Sequence, residues 1–187
     1  MSEFQTYFTL GYQHILDWQG YDHMVFILAL IAPIALKEWK KILILITAFT
    51  LGHSVALALS TLNIVSINPF WIELFIPITI LITAIVNVTI HQQLKNINYV
   101  IVVMFGLVHG TGFSGYLKSL LGLEQSLFVP LLSFNLGLEF GQILFTLFLM
   151  FIVIISNKFL PIKHRTVNLA FSGLAGLVSI FLILERI

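Results

Sequence analysis

The sequence predicts an all-α polytopic membrane bundle of about six transmembrane helices, with both termini outside. Three observations carry that prediction. Of 187 residues, 59% are apolar and only 9% charged, against about 45–50% and about 25% in an ordinary soluble domain. Nine Lys and Arg with eight Asp and Glu cannot coat a soluble globule of this size, and the mean hydropathy is +1.04. Six apolar stretches approach or exceed the roughly 20 residues that cross about 30 Å of hydrocarbon at about 1.5 Å per residue.

The first stretch, 20–36, is short for a crossing and opens on Asp22 and His23. Residues 1–19 before it read as an outer segment with the character of an interfacial helix. The second and third stretches cover 42–62 and 70–90. The fourth, 98–120, carries Gly106, Gly110 and Ser114 at a spacing of four, and the fifth, 127–156, repeats that spacing in Ser133, Gly137 and Gly141. Rows of small residues let helix backbones approach closely, so both spans are expected to meet neighbours along those faces. The sixth, 166–185, is apolar. None of the six alternates polar and apolar residues, which excludes a β-barrel. With no linker, low-complexity tract or fixed-period repeat, residues 1–187 read as one transmembrane domain.

The cations set the expected orientation. Lys37, Lys40, Lys41, Lys95, Lys158, Lys163 and Arg165 fall on one side of the bundle, and only Lys118 and Arg186 fall on the other. That bias assigns the first side to the cytoplasm. The first 23 residues hold no Lys or Arg, and no charged stretch precedes an apolar one there, so no cleavable signal peptide is expected. Trp18, Tyr21, Trp71 and Tyr116 are expected at the outer interface, with Trp39 and Tyr99 at the inner one.

A net charge of +1 offers nothing to a nucleic acid. The absence of cysteine excludes disulfides, thiolate chemistry and iron–sulfur clusters. What remains is a short set of ionisable groups that a bilayer penalises. His53 lies near the middle of the second span with Ser54 beside it, His109 halfway along the fourth, and Glu139 in the outer half of the fifth. Asp22 and His23 open the first span, Glu73 opens the third, and His14 and Asp17 lie just before the first. All fall at the midplane or in the outer half, so they are able to meet in one slab of membrane. His91 and His164 fall at the cytoplasmic ends beside lysines and read as solvated.

Asn135, Glu139 and Gln142 share one helical stripe, roughly opposite Ser133, Gly137 and Gly141. Imidazoles and carboxylates together suit a divalent zinc, nickel, cobalt or iron ion, and coordination offsets the burial of the anions. The expected ligands are His14, Asp22, His23, His53, Glu73, His109 and Glu139. Asp17, Ser54, Asn135 and Gln142 stand as their outer partners. Seven donors exceed what one tetrahedral ion needs, which leaves two ions or several stations open.

The blocks GYQHILDWQGYDHMVFILAL (11–30), FTLGHSVALAL (49–59), IEL (72–74), FGLVHGTGFSG (105–115) and FNLGLEFGQ (134–142) resemble the HupE/UreJ family of bacterial membrane proteins, most closely its second subgroup. The resemblance implies about six helices in the bacterial inner membrane and a nickel or cobalt permease associated with hydrogenase or urease systems. It also implies partners in metalloenzyme maturation or a homo-oligomer. On its motifs it singles out His14, Asp22, His23, His53, Glu73, His109, Glu139 and Gln142.

Two readings of function stand at this point. In the first, the donors serve a divalent-metal permease. The second is an intramembrane hydrolase with one or two zinc ions opening to the outer side, in which Glu139 or Glu73 acts as general base towards metal-bound water. The depth of the polar groups on one side suits the hydrolase; the inner halves of the spans offer little besides Thr47, Thr83 and Asn87.

Overall fold

A computed structural model describes residues 2–89, 99–121, 126–160 and 162–187; His91 and Lys95 lie outside the described residues. Among these, the chain forms seven helices and no strand: α1 Glu3–Leu16, α2 Asp22–Ile31, α3 Trp39–Thr61, α4 Pro69–Thr89, α5 Tyr99–Leu121, α6 Phe128–Phe159 and α7 His164–Arg186. The five from α3 to α7 are long and apolar enough to cross a membrane. Their outward residues are apolar, with Ile44, Leu51, Phe151, Leu177 and Leu184 each more than half exposed, as a hydrocarbon solvent requires. The multi-pass membrane bundle expected from composition is the fold observed.

The first crossing departs from the expected 20–36 helix. At ten residues, α2 extends only about 15 Å, half the apolar thickness. The other half comes from α1, which lies along α6. A Cβ placed on Gly137 would come within 2.0 Å of the Phe8 carbonyl oxygen, and one on Gly11 within 2.1 Å of the Phe134 carbonyl oxygen. Gly141 meets Tyr12 and Ile15 in the same way. Phe8 is thus level with residue 137 and Tyr12 with residue 141, so α1 and α6 run in the same direction with backbones touching. This is the close approach that the small-residue row on α6 predicts.

From there α2 continues towards the end that carries the lysines. The Ala29 carbonyl near its end accepts from Asn87 Nδ2 at 2.7 Å, and the Pro33 carbonyl pairs with His164 Nε2 at 3.0 Å. Helices α1 and α2 therefore make one discontinuous crossing, interrupted at residues 17–21. Such a break is tolerated in a bilayer where protein lines it. Trp18 occupies the short 3₁₀ turn inside the break and is exposed.

The second close contact joins α3 and α5. A Cβ on Gly106 would strike the Phe49 carbonyl oxygen at 2.2 Å, one on Gly110 the His53 carbonyl oxygen at 2.3 Å, and one on Gly52 the Val103 carbonyl oxygen at 2.1 Å. Backbones in contact at these positions set His53 and His109 on adjoining turns. Further along the row, the Ser114 hydroxyl turns back to the Thr111 carbonyl.

Helix α4 packs antiparallel to α7 and has Pro77 in its interior. Proline lacks the N–H that would satisfy the Glu73 carbonyl, and the Arg186 guanidinium donates to that carbonyl instead. At the other end of α4, Arg165 donates to the Asn87 and Val88 carbonyls. Both α7 arginines thus satisfy backbone groups that the helix itself leaves open. Helix α3 ends in a residue pair typical of a left-handed stop: Asn63 has φ 59°, its N–H reaches the Ser60 carbonyl, and the Ile64 N–H reaches the Leu59 carbonyl.

Candidate metal centre

The break in the first crossing supplies two of the three central residues. His14 lies in the last turn of α1, and Asp22 with His23 forms the first turn of α2. Helix α3 presents His53 from its middle. One nitrogen from each of His14, His23 and His53 lies within 4.8 Å of the other two. The ring centres are 4.6 Å apart for His14 and His23, 5.6 Å for His23 and His53, and 6.1 Å for His14 and His53. Tetrahedral nitrogens at about 2.0–2.1 Å from an ion sit roughly 3.3 Å apart, so modest side-chain rotation closes the set.

His23 and His53 are almost wholly buried, at 3% and 0% exposure. The nitrogens His14 Nε2, His23 Nε2, His53 Nδ1 and His53 Nε2 are buried and have no hydrogen-bond partner among the described residues. Orphaned polar atoms in a folded interior need a reason, and the chemistry of an imidazole lone pair supplies one.

His23 has its tautomer set by its neighbour. Asp22 Oδ1 lies 2.9 Å from His23 Nδ1 and also accepts the His23 backbone N–H at 2.8 Å. A carboxylate accepts only, so Nδ1 carries the hydrogen and Nε2 keeps a bare lone pair. Carboxylate–histidine pairs of this kind raise the basicity of the second nitrogen and orient the ring. Asp22 Oδ1 is thus turned to His23, and the nitrogens within 4.8 Å of one another are those of His14, His23 and His53.

The remaining residues singled out from the sequence divide. His109 is fully buried, its ring 5.2 Å from that of His23 but outside the set of three nitrogens, and its Nε2 lies 3.0 Å from Thr79 Oγ1. Glu139 lies apart, accepting from Thr47 Oγ1 at 2.6 Å; Gln142 accepts from Thr50 Oγ1 at 2.7 Å. Thr47 and Thr50 precede His53 by six and three residues, or about 9 and 4.5 Å along α3 towards the lysine-rich end. Glu73 is exposed and lines a separate cavity of about 280 Å³ with Lys118 and Asn63. Ser54 donates to the Thr50 carbonyl and Asn135 to the Leu131 carbonyl, each on its own helix. Asp17 caps α1.

A cavity of about 630 Å³, lined by Gln13, His14, Asp17, Phe113 and Tyr116 among others, reaches His14 directly. On the other side of the histidines, the α3–α6 seam carries the Thr50–Gln142 and Thr47–Glu139 pairs, followed by the buried hydroxyl of Thr146.

Thr50 and Thr79 were not singled out by the sequence alone. Thr79, Thr83 and Asn87 fall at four-residue spacing on one face of an otherwise apolar span. That stripe is the signal that marks Thr79.

A family model described as HupE / UreJ protein matches residues 1–186. No curated protein and no solved structure matches the chain.

Proposed function

The chain belongs to the HupE/UreJ family, and from that premise we propose that it is a permease for a divalent transition-metal ion. The ion enters through the Gln13–Tyr116 cavity and is held by His14, His23 and His53. The observation that carries this reading is the set of three imidazoles, with nitrogens within 4.8 Å of one another, gathered where the first crossing is broken. Discontinuous helices that bind substrate at mid-membrane are a recurring arrangement in transporters.

Neutral imidazoles take nickel, cobalt and zinc alike. Asp22 supplies one negative charge behind His23, which offsets part of the ion's charge without a direct bond. Onward from the histidines, Thr50, Gln142, Thr47 and Glu139 provide oxygen donors where the sequence alone offers mostly aliphatic helix. Glu139 in this reading is a later station on the path, and Glu73 belongs to the outer surface. The positive-inside bias makes the lysine-rich end cytoplasmic, so transport is inward across a bacterial inner membrane.

A metallohydrolase needs a carboxylate free beside metal-bound water. Asp22 is engaged by His23, Glu139 by Thr47, and Glu73 lines another cavity. These placements favour the permease. Purified protein in proteoliposomes is expected to take up Ni²⁺, Co²⁺ or Zn²⁺, and His53→Ala to stop uptake. Wild-type protein that binds metal yet moves none of the three would overturn the transport reading.

A further inference from the structure

We infer that Thr79 is a positioning residue that holds the His109 ring with a bare Nδ1, making His109 the fourth nitrogen donor to the ion held by His14, His23 and His53. The inference rests on the proposed metal site and adds to it a residue from α4, a helix that otherwise stands outside the cluster.

Thr79 Oγ1 lies 2.7 Å from the Ile76 carbonyl oxygen and 3.0 Å from His109 Nε2. Thr79 and His109 are 5% and 0% exposed, so water does not complete either group. The hydroxyl has one hydrogen to give. If it goes to the Ile76 carbonyl, which only accepts, His109 Nε2 carries a hydrogen and donates it to Thr79. Two hydrogen bonds then form and Nδ1 is bare. If the hydroxyl donates to Nε2 instead, the Ile76 bond is lost and the hydrogen moves to Nδ1. Nδ1 is buried and has no partner among the described residues, so that arrangement strands a buried donor. The first tautomer makes one more bond and leaves no hydrogen stranded, its bare Nδ1 being a lone pair open to a ligand, and burial makes the difference count.

The position of the ring fits the role. His109 stands 5.2 Å from His23 at an interplanar angle of 81°, held between Phe26 and Phe49 at 4.9 and 5.1 Å. Four imidazoles bound tetrahedrally at about 2.0–2.1 Å have ring centres roughly 5.2 Å apart. The three separations among His14, His23 and His53 and that from His23 to His109 scatter about that value; among the described residues the nitrogens within 4.8 Å of one another are those of His14, His23 and His53, so the His109 ring must shift inwards to bind. Asp22 and Thr79 then do matching work from opposite sides. Asp22 fixes the hydrogen of His23 on Nδ1 and frees Nε2, while Thr79 fixes that of His109 on Nε2 and frees Nδ1.

The test compares wild type, Thr79→Val, Thr79→Ser and His109→Ala in detergent. Affinity for Co²⁺ and Zn²⁺ is measured by competition titration, and nitrogen neighbours are counted by X-ray absorption at the metal edge. Valine keeps the shape and removes the hydroxyl; it is expected to weaken binding ten- to a hundredfold, the usual range for such outer partners, and to lower the nitrogen count from four to three. Serine restores the hydroxyl and is expected to bind as wild type does. His109→Ala gives the three-nitrogen reference, and it decides the matter if Thr79→Val fails to fold. Wild-type affinity and four nitrogens in Thr79→Val, or an unchanged count in His109→Ala, overturn the inference and leave the three-histidine site standing. Wild-type protein that binds neither metal overturns the site itself.

Discussion

Replacing Asp22 by Asn tests how far a residue outside the ring of donors sets metal affinity. Asp22 Oδ1 accepts two hydrogen bonds, one from the His23 backbone N–H at 2.8 Å and one from Nδ1 at 2.9 Å. Asparagine is isosteric and keeps an oxygen able to accept both, so the fold and the tautomer survive. What goes is the charge. A hydrogen bond to a charged group contributes about 1.5–3 kcal/mol, and a neutral one about 0.5–1.5 kcal/mol. The Nδ1 bond strengthens when the ion draws electron density from Nε2, so the loss of about 1–1.5 kcal/mol falls mainly on the bound state. That corresponds to roughly a tenfold rise in Kd. Asp22→Ala, which frees the ring to rotate, is expected to cost up to about a hundredfold. Isothermal titration of detergent-solubilised protein with Ni²⁺ and Zn²⁺ measures both. Unchanged affinity in Asp22→Asn and Asp22→Ala would refute the reasoning, because His23 would then owe nothing to the carboxylate.

Three further outcomes follow from the geometry. His53→Ala removes a donor with no competing partner, and it is expected to abolish Ni²⁺, Co²⁺ and Zn²⁺ binding at micromolar concentration while the protein still elutes as a folded species; retained micromolar affinity would remove His53 from the site. Gly110→Ala places a Cβ 2.3 Å from the His53 carbonyl oxygen and 2.8 Å from its Cα, so α3 and α5 must separate by about 1 Å. Overpacking of this kind costs about 1–3 kcal/mol, readable as a lower unfolding temperature in detergent, and metal affinity is expected to fall with it because the contact sets His53 beside His109. Arg186→Gln leaves the Glu73 carbonyl without its donor and is expected to cost about 1 kcal/mol. In a Pro77→Ala background, where the helix regains its own N–H, the same change is expected to cost less; equal costs in a double-mutant cycle would dissociate Arg186 from the proline.

The number of crossings and the buried histidines were legible in the sequence because a bilayer makes both conspicuous. Long apolar runs set the spans, and His23, His53 and His109 stood out because hydrocarbon offers an imidazole nothing to bond. The glycine rows were legible for a similar reason, since Gly106, Gly110, Gly137 and Gly141 have no other evident use at that spacing. The broken first crossing was not. Residues 3–16 are mixed in polarity, because one side of α1 meets α6 and the other borders the open cavity at Gln13 and His14; no hydropathy window distinguishes that from an interfacial helix. Glu139 and Glu73 were grouped with the histidines by depth and by the family motifs, and Glu139 also by its helical stripe; none of these says which neighbour a helix face meets. The stripe of Asn135, Glu139 and Gln142 points partly at α3, where threonines rather than histidines receive Glu139 and Gln142. Thr79 was hidden by its ordinariness: a threonine in a span usually bonds its own helix, and this one does so as well as meeting His109.

The central claim is that His14, His23 and His53 hold one ion in the middle of the membrane. X-ray absorption at the metal edge, on purified protein loaded with Ni²⁺, Co²⁺ or Zn²⁺ and freed of excess ion, tests it most directly. The account predicts one ion per chain with imidazole nitrogens at about 2.0–2.1 Å, lost in His53→Ala. A chain that retains no ion, or an ion surrounded by oxygen alone, would contradict it.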